Sequence, residues 1–358
     1  MAEPPKDDEP ELPKSMAPTL ARESDPSAPT MAADTAAIGQ TTMVPTQGER
    51  FADRYVFANL LGKGGMGEVR LCADDRLGRD VAVKTMYSTS SRARFLREAK
   101  LQGRLEHPSV VPVYDVGEVV GTPYFTMRRI VGITLSDVIA RLQDGDEEFA
   151  AKHSRRRLLT DFLQACQAVA YAHDHGVVHR DLKPANIMLG EYGEVYVLDW
   201  GIAKVRDGWN ETGEPRSVVP TDGSHTSDGS VLGTLGYMPP EQLEGTSDRL
   251  DFRADIYALG AILFELLTLQ QLHSATGAGG KIESTLRGAD ARASERAPER
   301  EVPPELEAIC VRATKTVPAE RHADVRALIA DVERFLDGDR DLERRRQLAR
   351  EHAELAAN

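Results

Sequence analysis

The sequence predicts an α+β protein of two lobes, a small β-rich unit followed by a larger helical one. Three observations carry this. Between Phe51 and Ile130, short runs of β-branched and aromatic residues alternate with glycine turns and enclose a single helical stripe. From Arg156 onward, longer stripes at helical spacing take over, and Gly132 marks the turn between the two regimes. The expected layout is a tail over 1–50, a first lobe over 51–130, a second over 131–337 and a charged helix over 338–358.

Composition bounds the function. A chain of 358 residues with 41% apolar and 28% charged residues supports about two folding units at roughly 100–200 residues each. The net charge of −13 argues against nonspecific nucleic-acid binding, which leaves a basic footprint, so any polyanion must be held locally. Cys72, Cys166 and Cys310 lie far apart without metal spacing, which fits a reducing compartment and no disulfide framework. The N-terminus opens acidic and proline-rich rather than basic and then apolar, so a cytoplasmic location is expected. No membrane span is expected either. The longest apolar run, Ile256 to Leu269, is broken by Glu265 and falls short of the ~20 residues a bilayer crossing needs.

Taken in order, residues 1–50 contain no Phe, Tyr or Trp and cannot bury enough apolar surface to offset ordering, so a disordered tail is expected. Its Thr41, Thr42 and Thr46 are candidate phosphoacceptors for a phosphothreonine-reading partner, although threonine is common in any polar tail. Tyr55 to Leu61 reads as a strand, Ser91 to Leu105 as a helix with Phe95, Ala99, Leu101 and Leu105 on one side, and Val110–Val116 and Tyr124–Ile130 as further strands. Arg156 to His175 is a helix stopped by Gly176. Ile187-Met188-Leu189 and Val195 to Leu198 make a hairpin, and Ile256 to Leu269 is a buried helix. Residues 270–301 give no confident element, and Pro304–Val317 and Ala323–Leu336 are the last helices before the charged stretch beyond Gly338.

Four places carry chemistry. Gly62-Lys63-Gly64-Gly65-Met66-Gly67-Glu68-Val69 is a G-x-G-x-x-G-x-V run in which glycines let a hairpin tip close over phosphates. Alone it equally fits an ordinary glycine hairpin. Its continuation as a strand, with Val81-Ala82-Val83-Lys84 next, separates it from a dinucleotide-binding turn, which would enter a helix. Glu98 falls mid-helix, where it can supply the counter-charge for Lys84. The stretch His179 to Asn186 presents a candidate general base at Asp181, a phosphate-facing cation at Lys183 and an oxygen ligand at Asn186. The hairpin then returns Asp199 beside Asn186, giving two hard oxygen donors suited to Mg²⁺.

Together these residues resemble the eukaryotic-type (Hanks-type) bacterial serine/threonine protein kinases, over about Tyr55 to Leu336, with six motifs in order. The resemblance implies the bilobal protein-kinase fold and transfer of the γ-phosphoryl of ATP, with Mg²⁺, to Ser or Thr of protein substrates. It implies catalytic roles for Asp181, Lys183, Lys84, Glu98, Asn186 and Asp199, with Asn186 and Asp199 as metal ligands. Leu61 through Val69, Ala82, Lys84, Met127, Arg128, Ile130 and Met188 are the implied nucleotide contacts, Arg128 and Ile130 through their backbones. Arg128 departs from the pattern, which usually has an acidic residue there, and Trp200 replaces the usual phenylalanine. The activation segment would run from Asp199 to Glu241, with Thr212, Ser217, Thr221, Ser224, Thr226, Ser227, Ser230 and Thr234 as candidate acceptors for autophosphorylation, Thr226, Ser227 and Ser230 favoured by position, and Arg180 as the phosphate's partner. Thr234 would hydrogen-bond Asp181 and Lys183 and favour Ser/Thr acceptors. Pro239-Pro240-Glu241 stands in for Ala-Pro-Glu, with Arg321 as the partner of Glu241 and Asp255 bonding the catalytic-loop backbone. Self-association into a dimer is left open.

Two other classes compete. A pseudokinase scaffold commonly lacks the lysine, the catalytic aspartate or the metal aspartate, and this chain has Lys84, Asp181, Asn186 and Asp199. A small-molecule phosphotransferase shares the lobe plan but does not need a long Ser/Thr-bearing segment ending in Pro-Pro-Glu.

Overall fold

A computed structural model describes residues 50–51, 54–64, 67–87, 90–200, 204–205, 235–244 and 251–339. The expected tail up to residue 49, Gly65, Met66, Thr234 and the other activation-segment acceptors, and the expected charged helix from residue 340 on lie outside the described residues.

The first lobe is one antiparallel sheet. Its strands are β1 (Arg50–Phe51), β2 (Tyr55–Gly64), β3 (Gly67–Asp74), β4 (Arg79–Met86), β5 (Val113–Val119) and β6 (Thr122–Arg128), in the order β1-β2-β3-β4-β6-β5. Tyr55, Phe57, Cys72, Val81, Val83, Val119 and Tyr124 bury one face of it. Helix α1 (Arg92–Arg104) starts where the Ser91 hydroxyl accepts the Arg94 N–H at 3.4 Å, a side-chain cap, and packs Phe95 on Phe125 with ring centroids 5.2 Å apart. After α1, β5 begins and ends later than expected, and β6 begins and ends two residues earlier. Val110 to Pro112 instead link the lobes: Val110 bridges Val197, and the Gln102 amide donates to the Val111 carbonyl at 2.8 Å. Val120 and Gly121, both at positive φ, make the two-residue hairpin turn that sets the register of β5 and β6.

The second lobe is helical. After β7 (Gly132–Thr134) come α2 (Leu135–Gln143), α3 (Glu147–Lys152) and α4 (Arg155–Asp174). The sequence reading gave no element at α2, although Thr134 caps it at 3.1 Å from the Asp137 N–H and Leu135, Val138 and Ile139 form its buried stripe. Strand β8 (Val177–Val178) enters the loop at 179–186, β9 (Ile187–Gly190) and β10 (Val195–Val197) make the expected hairpin, and β11 (Lys204–Val205) pairs with β8. A short helix α5 (Pro240–Leu243) precedes α6 (Arg253–Thr268), whose residues from Ala254 to Thr268 are all buried, as an apolar helix at the centre of a lobe must be. The segment that gave no confident element contains α7 (Gly277–Arg287) and the single turn α8 (Ala293–Arg296). Three glycines in the first four residues of α7 lower its helix propensity, so packing rather than local preference holds it. Helix α9 (Pro304–Ala313) crosses α6, and a last helix over 325–339 runs through Gly338.

The α6–α9 crossing fixes one residue. A Cβ on Gly260 would sit 2.5 Å from Ala313 Cβ and 2.9 Å from Thr314 Cγ2, so the helices touch only because Gly260 has no side chain. Gly260→Ala is therefore expected to cost about 1–3 kcal/mol by overpacking, read as a lower melting temperature. Adding Ala313→Gly should recover part of the loss.

Candidate active site

The glycine-rich turn joins β2 to β3, and its glycines differ in why they are glycine. A Cβ on Gly67 would lie 2.0 Å from the Thr85 carbonyl oxygen of β4, so the sheet itself forbids a side chain. Among the described atoms, a Cβ on Gly62 would meet nothing within 4 Å, and one on Gly64 only the Gly67 oxygen at 3.8 Å. The fold leaves room there for something to approach the backbone closely, as a phosphate would.

Lys84 projects from β4 toward the cleft and is 6% exposed. Its ammonium lies 2.6 Å from Glu98 Oε1 of α1 and 3.0 Å from Asp199 Oδ1, so one cation bridges both lobes. Burial opposes the charge on Lys84, but Asp199 and Glu98 outweigh it and hold the pKa above the ordinary lysine value. Lys84 in turn lowers the Asp199 carboxyl below the usual range. Asp199 sits at φ +57° with its side chain 57% exposed, so the carboxylate is aimed by the backbone and open on its other side.

The loop after β8 is ordered from beneath. Asp255, at the start of α6, accepts the backbone N–H groups of His179 and Arg180 at 2.8 Å each and His173 Nε2 at 2.7 Å. These bonds hold Arg180 at φ +68°, a conformation uncommon for a residue with a side chain. His179 is fully buried: its Nδ1 accepts the Asp181 N–H at 3.3 Å and its Nε2 faces the Leu198 carbonyl at 3.0 Å, which fixes a neutral ring protonated on Nε2. Trp200 is fully buried against that ring at 4.6 Å, and its indole N–H reaches the Val197 carbonyl at 3.3 Å, so the larger ring packs into the main core.

Burial would lift the Asp255 carboxyl, yet His173 and the loop N–H groups outweigh it and leave the pKa below the ordinary value. A native pKa lowered relative to the unfolded chain contributes stability above the unfolded value, near ~3.9, that is lost as pH falls through the native one. Wild-type melting temperature is thus expected to fall on acidification through this range. In Asp255→Asn it should start lower and show a shallower acid slope.

Around Asp181 the expected residues converge. Lys183 Nζ lies 3.1 Å from Asp181 Oδ2, and the Asn186 amide nitrogen donates to the Asp181 carbonyl at 2.8 Å and to Oδ2 at 3.2 Å. The amide nitrogen of Asn186 is thereby occupied and its oxygen is left for another partner. Asn186 and Asp199 thus offer hard oxygen atoms, which fit Mg²⁺. No group of three or more His, Cys, Asp or Glu suited to a metal is found among the described residues, so a metal here must complete its shell with phosphate and water.

At the lobe junction, Met127 is half-buried and Arg128 donates its N–H to the Pro112 carbonyl at 3.1 Å. The Arg128 side chain turns to the second lobe, over Tyr196 at 5.5 Å and 3.9 Å from Glu194. At the far end, Glu241 of α5 pairs with Arg321 at 2.7 Å, and Gln242 donates to the Arg180 carbonyl at 2.9 Å. Sequence reasoning missed His173 and Gln242, since a histidine late in a helix and a glutamine after Pro-Pro-Glu carry no distinctive pattern.

A protein kinase domain model matches residues 55–330. The chain is 38% identical over 296 residues to a serine/threonine-protein kinase PknD of Chlamydia caviae, covering 80% of this chain and 31% of the relative. It is 36% identical to the PknD of Protochlamydia amoebophila, covering 84% and 31%. With PknB of Mycolicibacterium smegmatis it shares 35% identity, covering 82% and 44%. The chain belongs to the protein kinase family, in its bacterial Hanks-type serine/threonine branch. It spans less than half the length of these relatives. Among the described residues no helix is long and apolar enough to cross a membrane.

Proposed function

We propose that the chain is an ATP- and Mg²⁺-dependent serine/threonine protein kinase that also phosphorylates its own segment between residues 207 and 234, and that it acts in the cytoplasm. The observation that carries this is the double constellation across the cleft, Lys84 between Glu98 and Asp199 on one side and Asp181 with Lys183 and Asn186 on the other.

In this reading Asp181 orients the acceptor hydroxyl and takes its proton. Lys183 balances charge on the transferred phosphoryl group, and Lys84, held by Glu98, grips the α- and β-phosphates. The turn from Leu61 to Val69 covers the phosphates with backbone N–H groups. Ala82, Met127 and Met188 enclose the adenine, and the Arg128 carbonyl and Ile130 backbone pair with its edge. Asn186 and Asp199 would hold the metal, whose chemistry is to neutralise phosphate charge as it spreads in the transition state. Thr234, which the resemblance assigns as a partner of Asp181 and Lys183, would favour Ser and Thr over Tyr.

The test is transfer of label from γ-labelled ATP by the purified chain with Mg²⁺, alone and with myelin basic protein, with phosphosites mapped by mass spectrometry. Label on serine and threonine of the added protein and of residues 207–234 supports the reading. Nucleotide binding without transfer would make the chain a scaffold instead.

A further inference from the structure

Behind the cleft, the second lobe contains a run of buried polar groups that the chemistry above does not use. Tyr237 lies in the stretch that leads to α5, whose Gln242 is bonded to the Arg180 carbonyl, so this stretch flanks the loop bearing Asp181. The Tyr237 hydroxyl donates to Glu265 Oε2 of α6 at 2.5 Å and accepts from Gln271 Nε2 at 3.3 Å. Gln271 Oε1 in turn accepts from Lys281 Nζ of α7 at 2.8 Å. Lys281 and Glu265 are 9% and 5% exposed, so a buried cation and a buried carboxylate end the run.

The direction of every bond in this run is fixed by its ends. An ammonium only donates, so Gln271 must turn its oxygen to Lys281 and its NH₂ to Tyr237. Tyr237 then accepts on its oxygen and has its proton left for Glu265. A glutamine amide is otherwise free to flip, and flipping this one would set its oxygen against the tyrosine oxygen. The charge of Lys281 therefore selects the orientation that holds Tyr237. A second bridge ties the same helix to α6: His273 lies 2.7 Å from the Tyr257 hydroxyl and 2.9 Å from the Ser284 hydroxyl. With its glycine-rich first turn, α7 depends on such contacts for its position.

We infer that Lys281 is a positioning residue for the protein acceptor, fixing Tyr237 beside the Asp181 loop through Gln271, so that α7 sets acceptor affinity and leaves nucleotide affinity alone. This rests on the kinase reading above. Among the described residues nothing in the run touches Lys84, Asp199 or the glycine turn, which is why the two affinities separate.

The experiment compares wild type, Lys281→Met, Lys281→Arg and Gln271→Leu in the full chain, measuring KM for myelin basic protein, KM for ATP and kcat. The expected result is an acceptor KM raised about tenfold in Lys281→Met and Gln271→Leu, an ATP KM unchanged, and partial recovery in Lys281→Arg, which keeps the donor. Gln271→Leu leaves the buried charge in place and decides the matter if Lys281→Met does not fold. An acceptor KM equal to wild type in Gln271→Leu, or acceptor and ATP KM rising together, overturns the inference. Absence of transfer by wild type would instead remove the kinase reading on which it stands.

Discussion

Asp181→Asn is expected to lower the rate of phosphoryl transfer by about 10²–10⁴-fold while leaving ATP affinity and melting temperature near wild type. The side chains are the same size, so the loop has no reason to move. Asp255 still holds the His179 and Arg180 N–H groups, and the Asn186 amide still bonds the backbone carbonyl of residue 181 at 2.8 Å. What changes is the acceptor count. Lys183 and Asn186 both donate to Asp181 Oδ2, at 3.1 and 3.2 Å, and Oδ1 is farther from Lys183 at 3.4 Å, so the oxygen of the new amide takes the Oδ2 place and its NH₂ the Oδ1 place. A group that donates there cannot take the hydroxyl proton. Lys84, still paired with Glu98 and Asp199, keeps its place for the nucleotide phosphates. Single-turnover transfer and equilibrium nucleotide binding, measured on the same preparation, check both halves. A variant retaining more than about a tenth of the wild-type rate would remove Asp181 from the role of base.

What could be read from the sequence divides along a physical line. The Lys84–Glu98 pair was legible because a lysine after an apolar run is unremarkable by itself, whereas a glutamate in the middle of the following helix supplies its counter-charge. The hairpin that returns Asp199 was legible because two apolar triplets flank a glycine turn. Helix α2 was legible in principle through Thr134 and Asp137 but was overshadowed by the stronger α4 stripe. Helix α7 was not legible at all. Its composition opposes a helix, and what stabilises it comes from Gln271, His273 and Tyr257, contacts that exist only after α6 is in place. Of the polar groups that aim the loop from below, Asp255 came with the family resemblance, whereas its partner His173 escaped for the same reason. His173 and Asp255 are 82 residues apart in sequence and 2.7 Å apart in space, and no local period encodes such a meeting.

Arg321→Ala is expected to be the most destabilising single change in the second lobe, by about 3–5 kcal/mol, or on the order of 10 °C in melting temperature. The Arg321 side chain is fully buried, and all five of its N–H groups have acceptors. Nε donates to the Lys315 carbonyl at 2.7 Å. One terminal nitrogen serves Glu241 at 2.7 Å and the Arg253 carbonyl at 2.8 Å, and the other serves Glu241 at 2.8 Å and the Thr316 carbonyl at 3.2 Å. The guanidinium also lies 5.0 Å from the Tyr257 ring centroid. Removing it takes the guanidinium from the Glu241 carboxylate and a donor from three carbonyls at once. Lysine has three donors on one centre and cannot reproduce a planar fork, so Arg321→Lys should recover less than half of the loss. Adding Glu241→Gln to Arg321→Ala should recover more, because it removes a mostly buried charge that has lost its guanidinium. Calorimetry on the three variants orders these costs. The same variants carry a kinetic expectation, since Glu241 lies in the first turn of the helix whose Gln242 holds the Arg180 carbonyl. Measured well below its melting temperature, where the fold persists, Arg321→Ala should still transfer phosphate more slowly than wild type, because the loop that presents Asp181 has lost a support on the side away from Asp255.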